Sequence, residues 1–316
     1  MGVALRSHLW LVTGVVGALA LIALPFYVNA YVVGIGLTLL MWIALTQSWS
    51  VLSQMTGYVS LGHVVFYGLG AYLAVVSWQQ VPLAVIIPAA GVLAAAFAAL
   101  VGLPVLRVRG PYFVILTFGL AELVKYSIMA VESASGIASR ILFGTPDLLV
   151  VYFLMFGLAL AATLLLEWVS RSRFGHGLRS LRENEEAAET LGVPIVRFKL
   201  LAFVLSAAIP GMVGAVMALR STYFVVGQVF DPMISITVIA MAVLGGGDNS
   251  KGPLLGVIFL SILSEMLWAH APLLYMIVLG VILVVFVLAI PGGLVGMWEA
   301  RTLRRQARRA ALTVAQ

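Results

Sequence analysis

Apolar stretches of about twenty residues follow one another along the chain, separated by short polar or glycine-containing segments. A hydrophobic run of about that length allows an α-helix to cross the hydrocarbon core of a bilayer. Ten stretches can be marked, at 9–28, 31–52, 61–78, 83–104, 112–131, 148–169, 200–219, 233–248, 253–270 and 273–291. The pattern therefore predicts an all-α fold, a polytopic bundle of transmembrane helices with about ten spans.

One segment, 53–67, interrupts this pattern without introducing a charge. It is rich in glycine and hydroxyl residues, so it fits either a tight turn or a broken helix at membrane depth. Irregular backbone at that depth persists only when it is buried in protein or lines an aqueous cavity. Both interpretations place the segment in a protein-lined environment.

Composition agrees with a membrane location. Of the 316 residues, 63% are hydrophobic and only 9% are charged, whereas a soluble domain has about a quarter charged residues. Cysteine is absent, which excludes disulfides, thiolate metal sites and a cysteine nucleophile. The net charge of +6 fits basic cytoplasmic loops, so no nucleic-acid partner is expected.

The distribution of Lys and Arg predicts the orientation of the bundle. If the N-terminus is cytoplasmic, nearly all cations lie on the cytoplasmic side, while only Arg140 and Arg220 lie outside and Lys125 lies within a span. Positive charge accumulates on the cytoplasmic side of membrane proteins. We therefore expect both termini in the cytoplasm, with a membrane domain over 1–299 and a basic cytoplasmic tail over 300–316.

The stretch 170–199 is the one extended polar loop between the predicted spans. Ser180 and Glu183 fit a capping box, in which a serine side chain caps the start of a helix and a glutamate three residues later accepts a hydrogen bond from the backbone amide of that serine. Gly192 then supplies a C-terminal stop. The pattern predicts a single helix over 180–191, about 11 residues and roughly 17 Å long.

A helix this short is marginal in water and needs a surface to dock against. It is either a solvated connector between two halves of the bundle or an element that inserts into a groove on a cytoplasmic partner. In the second case, Ala187, Ala188 and Leu191 would form the contact side. The surrounding glutamates would form charged rims: Glu183, Glu185, Glu186 and Glu189.

The segment 177–193, which includes Glu-Asn-Glu-Glu-Ala-Ala-Glu-Thr-Leu-Gly, resembles the cytoplasmic coupling loop of bacterial ABC permeases for branched-chain amino acids, LivM type. Three further stretches are similar to that family and occur in the expected order. They are 57–72, beginning Gly-Tyr-Val-Ser-Leu-Gly-His; 106–113, followed by Thr117 and Glu122; and the glycine-rich turn 244–253.

The resemblance implies the permease subunit of a binding-protein-dependent importer in the bacterial inner membrane. Its implied partners are two ABC ATPase subunits, a second related permease and a periplasmic or surface amino-acid-binding protein. Leucine, isoleucine and valine are the implied substrates, and no cofactor is expected. The ATPase-coupling helix would contain Ser180, Glu183, Glu186, Ala187, Ala188, Leu191 and Gly192.

Two departures from the family pattern bear on this resemblance. The Ile-x-Leu-Pro portion of the general importer motif is not at its expected distance, so contacts with an ATPase would differ from those in other importer classes. Pro111 stands where an acidic residue is expected.

Two charged residues fall inside a predicted span. Glu122 lies ten residues after Tyr112, about 15 Å into the membrane, and Lys125 lies one turn further, where an i,i+3 pair can form. Either the two side chains form a buried ion pair that fixes the rotation of the helix, or they are a polar element of the transport path, complementary to a zwitterion.

Other polar candidates belong to the signature at 57–72: Ser60, Gly62 and His63. The simplest role for His63 is to satisfy backbone groups in a buried turn. The four histidines show no His-x-x-His or His-x-x-x-His spacing, so no metal site is expected.

Competing functions follow from the same residues. The turn 245–252 lacks the second glycine and the hydroxyl of a Walker A loop, so another polypeptide would have to bind ATP. An ion-coupled secondary transporter, with Glu122 as its coupling carboxylate, is one alternative. Urea and short-amide permeases of the same wider family are another, and no constellation of residues supports a membrane enzyme.

Overall fold

A computed structural model describes the backbone of residues 2–247 and 249–270, together with residues 277, 280, 281 and 293–296. The side chains of 2–13, 15 and 268–270 lie outside this description. The predicted tenth span, 273–291, and the predicted basic tail, 300–316, also fall outside it.

Long helices account for most of the described chain. They are α1 (Gly2–Tyr27), α2 (Ala30–Thr56), α3 (His63–Ser77), α4 (Leu83–Val105), α5 (Pro111–Ala134), α6 (Leu148–Arg171), α9 (Ile195–Ala218), α11 (Pro232–Gly245) and α12 (Lys251–His270). Three shorter helices lie between them: α7 (Arg173–Glu183), α8 (Glu185–Thr190) and α10 (Val226–Val229). Each of the first nine predicted spans overlaps one of the long helices.

A single two-residue β-ladder is present within the described residues. Strands β1 (Arg140–Ile141) and β2 (Tyr223–Phe224) pair antiparallel, with Arg140 opposite Phe224 and Ile141 opposite Tyr223. The ladder joins the connection after α5 to the connection after α9.

Six segments of the described chain are long and apolar enough to cross a membrane: α2, α4, α5, α6, α9 and the stretch Val226–Gly245. Helix α3 is equally apolar but has only 15 residues, about 22 Å, which is shorter than the hydrocarbon core of about 30 Å. The predicted all-α, polytopic membrane bundle is confirmed at this level.

Helix α9 packs closely against α3 and α4 because glycines remove side chains from the contact. A methyl group added at Gly70 would lie 1.8 Å from the carbonyl oxygen of Gly211, and one added at Gly214 would lie 1.9 Å from that of Tyr67. Such contacts leave no room for a side chain, so the backbones of α3 and α9 meet directly. Helix α2 completes the core and buries Trp49 and Met55.

The interrupted segment 53–67 consists of the end of α2, an irregular connection over 57–62 and the start of α3. Gly57 ends α2 with a φ of 77°. The connection is held inside the bundle: Trp49 Nε1 donates to the Ser60 carbonyl at 2.9 Å, and the Leu61 amide donates to Thr117 Oγ1 at 3.2 Å. The irregular backbone is thus hydrogen-bonded to protein, and the segment 53–67 is a turn between two helices rather than one broken helix.

Candidate functional site

The polar loop after α6 contains two helices, so the predicted single helix over 180–191 is wrong. Asn184 has an extended backbone, with φ −160° and ψ 113°, and separates α7 from α8. Its side chain accepts a hydrogen bond from the Ala187 amide at 3.0 Å and so caps α8. Asparagine competes with the helical backbone in this way and is among the best N-caps.

The predicted capping box is also wrong. Ser172, eight residues before Ser180, caps α7 by accepting from the Gly175 amide at 3.1 Å. Ser180 lies within α7, where its hydroxyl donates to the Gly177 carbonyl at 2.8 Å. The predicted stop at Gly192 is confirmed, because this residue follows α8 with a φ of 84°.

Helix α8 turns one alanine inward and leaves the other outside. Ala188 is 1% exposed and belongs to the same buried cluster as Leu178 and Leu181, whereas Ala187 is exposed and Leu191 is 81% exposed. The prediction that Ala188 shares an outer contact side with the other two is therefore wrong. Adjacent helical residues are separated by about 100°, so Ala188 cannot face the same way as Ala187.

Three of the four glutamates of this loop are exposed, at positions 183, 186 and 189, but Glu185 points into the protein. Its side chain is 14% exposed and forms an ion pair with Lys199 Nζ at 2.5 Å. Tyr58 Oη donates to the same carboxylate at 2.6 Å. The prediction that Glu185 forms part of a charged rim is wrong.

We refer to Glu185, Lys199, Tyr58 and Arg109 as the Glu185 cluster. Lys199, on α9, is 3% exposed and also donates to Tyr58 Oη at 2.7 Å. Arg109, between α4 and α5, places Nε 3.3 Å from Glu185 Oε2. The cluster therefore links four segments that are distant in sequence.

The charge of Glu185 is stabilised by these neighbours. Burial alone would raise the pKa of its carboxyl group, but the hydrogen bonds from Lys199 and Tyr58, with the charge of Arg109, outweigh burial and hold the pKa below its ordinary value. Glu185 is thus ionised at neutral pH. Removing one member of a buried ion pair is costly because the other charge is left uncompensated.

A second link joins α7 to the end of α2. Arg182 Nη1 donates to the Gln54 carbonyl at 2.9 Å, and its side chain passes over Gly57, where an added methyl group would lie 3.0 Å from the arginine Cγ. Beside both links is an open cavity of about 710 Å³. Its lining includes Tyr58, Arg109 and Arg182.

Lys199 was visible in the sequence only as a cation flanking the loop. The sequence nevertheless contains a sign that Lys199 is buried. Ala202, Phe203 and Ser206 follow it at helical spacing, so the four residues share one face of α9, and that face is buried. A lysine on the apolar face of a helix needs a carboxylate partner, and that partner is Glu185. No feature of the sequence predicts that Tyr58 donates to Glu185 or that Asn184 separates α7 from α8.

Glu122 and Lys125 form the ion pair that their spacing predicts. Lys125 Nζ lies 3.3 Å from Glu122 Oε2, and the side chains are 17% exposed for the lysine and 24% for the glutamate. They are thus paired and partly exposed on α5. Both interpretations, a structural pair and a polar element of a path, stay open.

The residues of the 57–72 signature fall in the buried connection and the first turn of α3. Ser60 Oγ accepts from the Gly62 amide at 3.2 Å. His63 is 4% exposed, and neither ring nitrogen has a hydrogen-bond partner among the described residues. The prediction that the His63 ring satisfies backbone groups is therefore wrong. The ring instead packs edge-on against Phe66, with centroids 5.6 Å apart.

Within the part of the chain that the structure describes, no three His, Asp or Glu residues come close enough to hold a metal ion.

Comparison with known proteins identifies relatives of this chain. A family profile described as "Branched-chain amino acid transport system / permease component" matches residues 32–287. The high-affinity branched-chain amino acid transport system permease protein LivM of Escherichia coli (strain K12) is 29% identical over 94% of this chain and 76% of its own length. LivM of Salmonella typhimurium is 28% identical over 87% of this chain and 72% of its own.

A shorter match is the L-arabinose transport system permease protein AraH of Escherichia coli, which is 37% identical over 35% of this chain and 31% of its own length. No solved structure matches the chain.

Proposed function

The chain belongs to the family of branched-chain amino acid transport system permease components, and from this membership we propose that it is the membrane-spanning subunit of an ABC importer for leucine, isoleucine and valine. The observation that carries the proposal is the agreement with LivM across 94% of the chain. The bundle of long helices supports it, because six segments within the described residues are long and apolar enough to cross a membrane. The subunit is not itself an enzyme, because hydrolysis of ATP belongs to its partners.

The arrangement in the membrane follows from the same proposal. We propose about ten spans over 1–299, a cytoplasmic tail over 300–316 and both termini in the cytoplasm of a bacterial cell, with the protein in the inner membrane. In this orientation α7 and α8 are cytoplasmic. A second related permease, two ABC ATPase subunits and an external amino-acid-binding protein complete the importer.

The ATPase would dock on the exposed side of α7 and α8. That side offers Ala187 and Leu191 as an apolar contact, with Glu183, Glu186 and Glu189 around it. The geometry of α8 supports this docking proposal, because the opposite face of the helix is buried through Ala188. A helix anchored on one side and open on the other suits a coupling element.

Two contacts would transmit a movement of α7 and α8 to the membrane spans. Arg182 connects α7 to the end of α2, and the Glu185 cluster connects α8 to α9 and to the connection 57–62. Because both contacts are polar and directional, a displacement of α8 would pull on these segments together. The spans would then alternate access to a central path.

The Glu122–Lys125 pair would be a polar element of that path. An amino acid carries a carboxylate and an ammonium group, so two opposite charges on one face of α5 complement it. The pair is mutually satisfied when no substrate is present. This would give weak substrate contact, with specificity residing in the external binding protein.

The docking proposal is tested by Ala187→Arg in cells that express the complete importer. We expect the ATPase subunits to be lost from the complex purified in mild detergent, because a long charged side chain cannot enter the apolar contact. Ser135→Arg, at an exposed position beyond the far end of α5, is the matched control and should leave the complex intact. Normal assembly of the Ala187→Arg variant would refute docking on this surface.

A further inference from the structure

The first turns of α2, which are external in the proposed orientation, lie against two charged side chains from other helices. Tyr31, Gly34 and Thr38 follow one another at intervals of three and four residues, so they lie on one side of α2. Tyr31 Oη donates to Glu265 Oε1 of α12 at 2.8 Å. Arg220 Nη1, just beyond the end of α9, donates to Thr38 Oγ1 at 3.3 Å. This side of α2 is therefore the floor of a groove between α9 and α12.

The two charges of this groove are not neutralised by protein. Within the described part of the chain, Glu265 and Arg220 each contact a hydroxyl group and neither belongs to an ion pair. At the same end of the bundle, Glu132 and Arg140 satisfy each other through a contact of 2.7 Å. Glu265 and Arg220 thus remain open to a ligand that brings the opposite charges.

The spacing of the two charges along α2 suits a small zwitterion. The Arg220 guanidinium lies over Gly34, where an added methyl group would be 3.3 Å from Nη2. Along the axis of α2, Gly34 lies about 4.5 Å and Thr38 about 10 Å from Tyr31. An α-amino acid with one charge-assisted hydrogen bond at each end, each about 2.8 Å long, spans a distance of this order.

Deeper in the bundle, the same side of α2 is closed. Met41 and Leu45 lie three and seven residues beyond Thr38 and are 7% and 3% exposed. Trp49 follows on this side and donates to the Ser60 carbonyl of the connection 57–62 at 2.9 Å. A ligand that enters the groove from outside therefore stops at about the level of Thr38.

We propose that this groove is an outer loading site for an α-amino acid, in which Arg220 binds the carboxylate and Glu265 binds the ammonium group. A guanidinium matches the planar geometry of a carboxylate, and an ammonium group has three protons to donate. Urea and short amides carry neither charge, so the site selects against them. The inference rests on the proposed function, which brings an amino acid to this face, and it assigns part of the selection to this chain.

The absence of cysteine allows one engineered cysteine to report whether the groove is occupied. Gly34→Cys places a thiol between the two charges, where its nearest neighbour is the mobile end of the Arg220 side chain. Thr38→Cys is a second reporter one turn deeper. Ser135→Cys, exposed beyond the end of α5, is the matched control outside the groove. Each variant is assembled into the complete importer, and the rate at which N-ethylmaleimide labels this chain is measured without the binding protein.

We expect leucine to protect positions 34 and 38 but not position 135. At a leucine concentration about ten times the half-protecting one, labelling at position 34 should slow by roughly tenfold, because only the unoccupied protein reacts. Leucinamide lacks the carboxylate and isocaproate lacks the ammonium group. Each should therefore need a concentration higher by about tenfold or more, because it loses a hydrogen bond to a charged group.

The two charged residues are separated by their preferences for these ligands. In the Gly34→Cys background, Arg220→Gln should abolish the preference for leucine over leucinamide and keep the preference over isocaproate. Glu265→Gln should do the reverse, so each variant is the control for the other. A purely structural role, in which Glu265 joins α12 to α2 and Arg220 stabilises the end of α9, would not produce this exchange.

Three results would overturn the inference: no protection at positions 34 and 38, equal protection by leucine and both analogues, or the same change of preference in both charge variants. Leucine uptake by proteoliposomes with the complete importer and its binding protein is measured alongside. If uptake requires this chain but leucine does not protect the groove, the loading site is wrong and the permease function stands. If uptake does not require this chain, the proposed function fails.

Discussion

Glu185 shows how one side chain can determine the role of a loop. The sequence places it in a run of glutamates that looks uniformly solvent-facing, yet it is the one whose carboxylate enters the bundle and pairs with Lys199. Its partner is 3% exposed, so the pair is shielded from screening by salt. A shielded, hydrogen-bonded pair holds its geometry, which the proposed coupling role requires.

The energetic importance of this pair can be measured by a double-mutant cycle. Glu185→Gln and Lys199→Met should each lower the free energy of unfolding by about 3–5 kcal/mol, because each leaves a buried charge without its partner. The double variant should lose less than the sum of the two, by about 0.5–3 kcal/mol. Unfolding by dodecyl sulfate in mixed micelles provides the measurement.

The control is a pair on the surface. Arg171 pairs with Glu167 but is 74% exposed, so Arg171→Ala should cost at most about 1 kcal/mol. Additive losses at Glu185 and Lys199 would contradict a coupled pair.

Acid should release α8 from the bundle. The pKa of Glu185 is held below its ordinary value of 4.5, so the ion pair stabilises the fold fully above that pH. This contribution is lost as the pH falls through the lower folded-state pKa, because the unfolded chain then binds the proton more readily. A spin label on Ala187→Cys should become mobile over this range.

Glu185→Gln provides the comparison for the acid experiment. In that background, the label at position 187 should already be mobile at neutral pH and should not respond to acid below pH 4.5. The same pH profile in both proteins would show that another group releases α8.

At the scale of elements, the sequence predicts what depends on hydrophobic length and misses what depends on local competition. The first nine apolar stretches all correspond to helices, because a span must supply its own backbone hydrogen bonds in lipid. The sequence pattern does not predict the break at Asn184, because good helix formers surround this residue. The contacts of Arg182 with Gln54 and of Glu185 with Lys199 lie on the two sides of the break and depend on the tertiary fold. The burial of Ala188 was missed because it depends on where α7 and α9 place α8.

The cap at Asn184 is testable at this scale. Asn184→Ala removes the hydrogen bond to the Ala187 amide and should destabilise α8 by about 1 kcal/mol. Hydrogen exchange of residues 186–190 should accelerate by about fivefold, the equivalent of that free energy. Asn184→Asp keeps an oxygen acceptor and should leave exchange close to that of the wild type; equal acceleration in both variants would contradict the capping role.

For the whole molecule, the proposed function requires a source of energy outside the membrane bundle. Family membership and the apolar spans establish a permease, and its glycine-rich turn 245–252 does not match a Walker A loop. The Glu185 cluster and Arg182 join α7 and α8 to α2, α9 and the connection 57–62, and under the proposed function these contacts would carry the motion of an ATPase to the spans. Transport by this chain should therefore require its partners.

The most direct measurement is accumulation of radiolabelled leucine in proteoliposomes supplied with the external binding protein. Vesicles that contain the complete importer and enclosed ATP should concentrate leucine against its gradient. Vesicles that contain this chain alone should not, with or without a proton or sodium gradient. Uphill leucine transport by the chain alone would contradict the account.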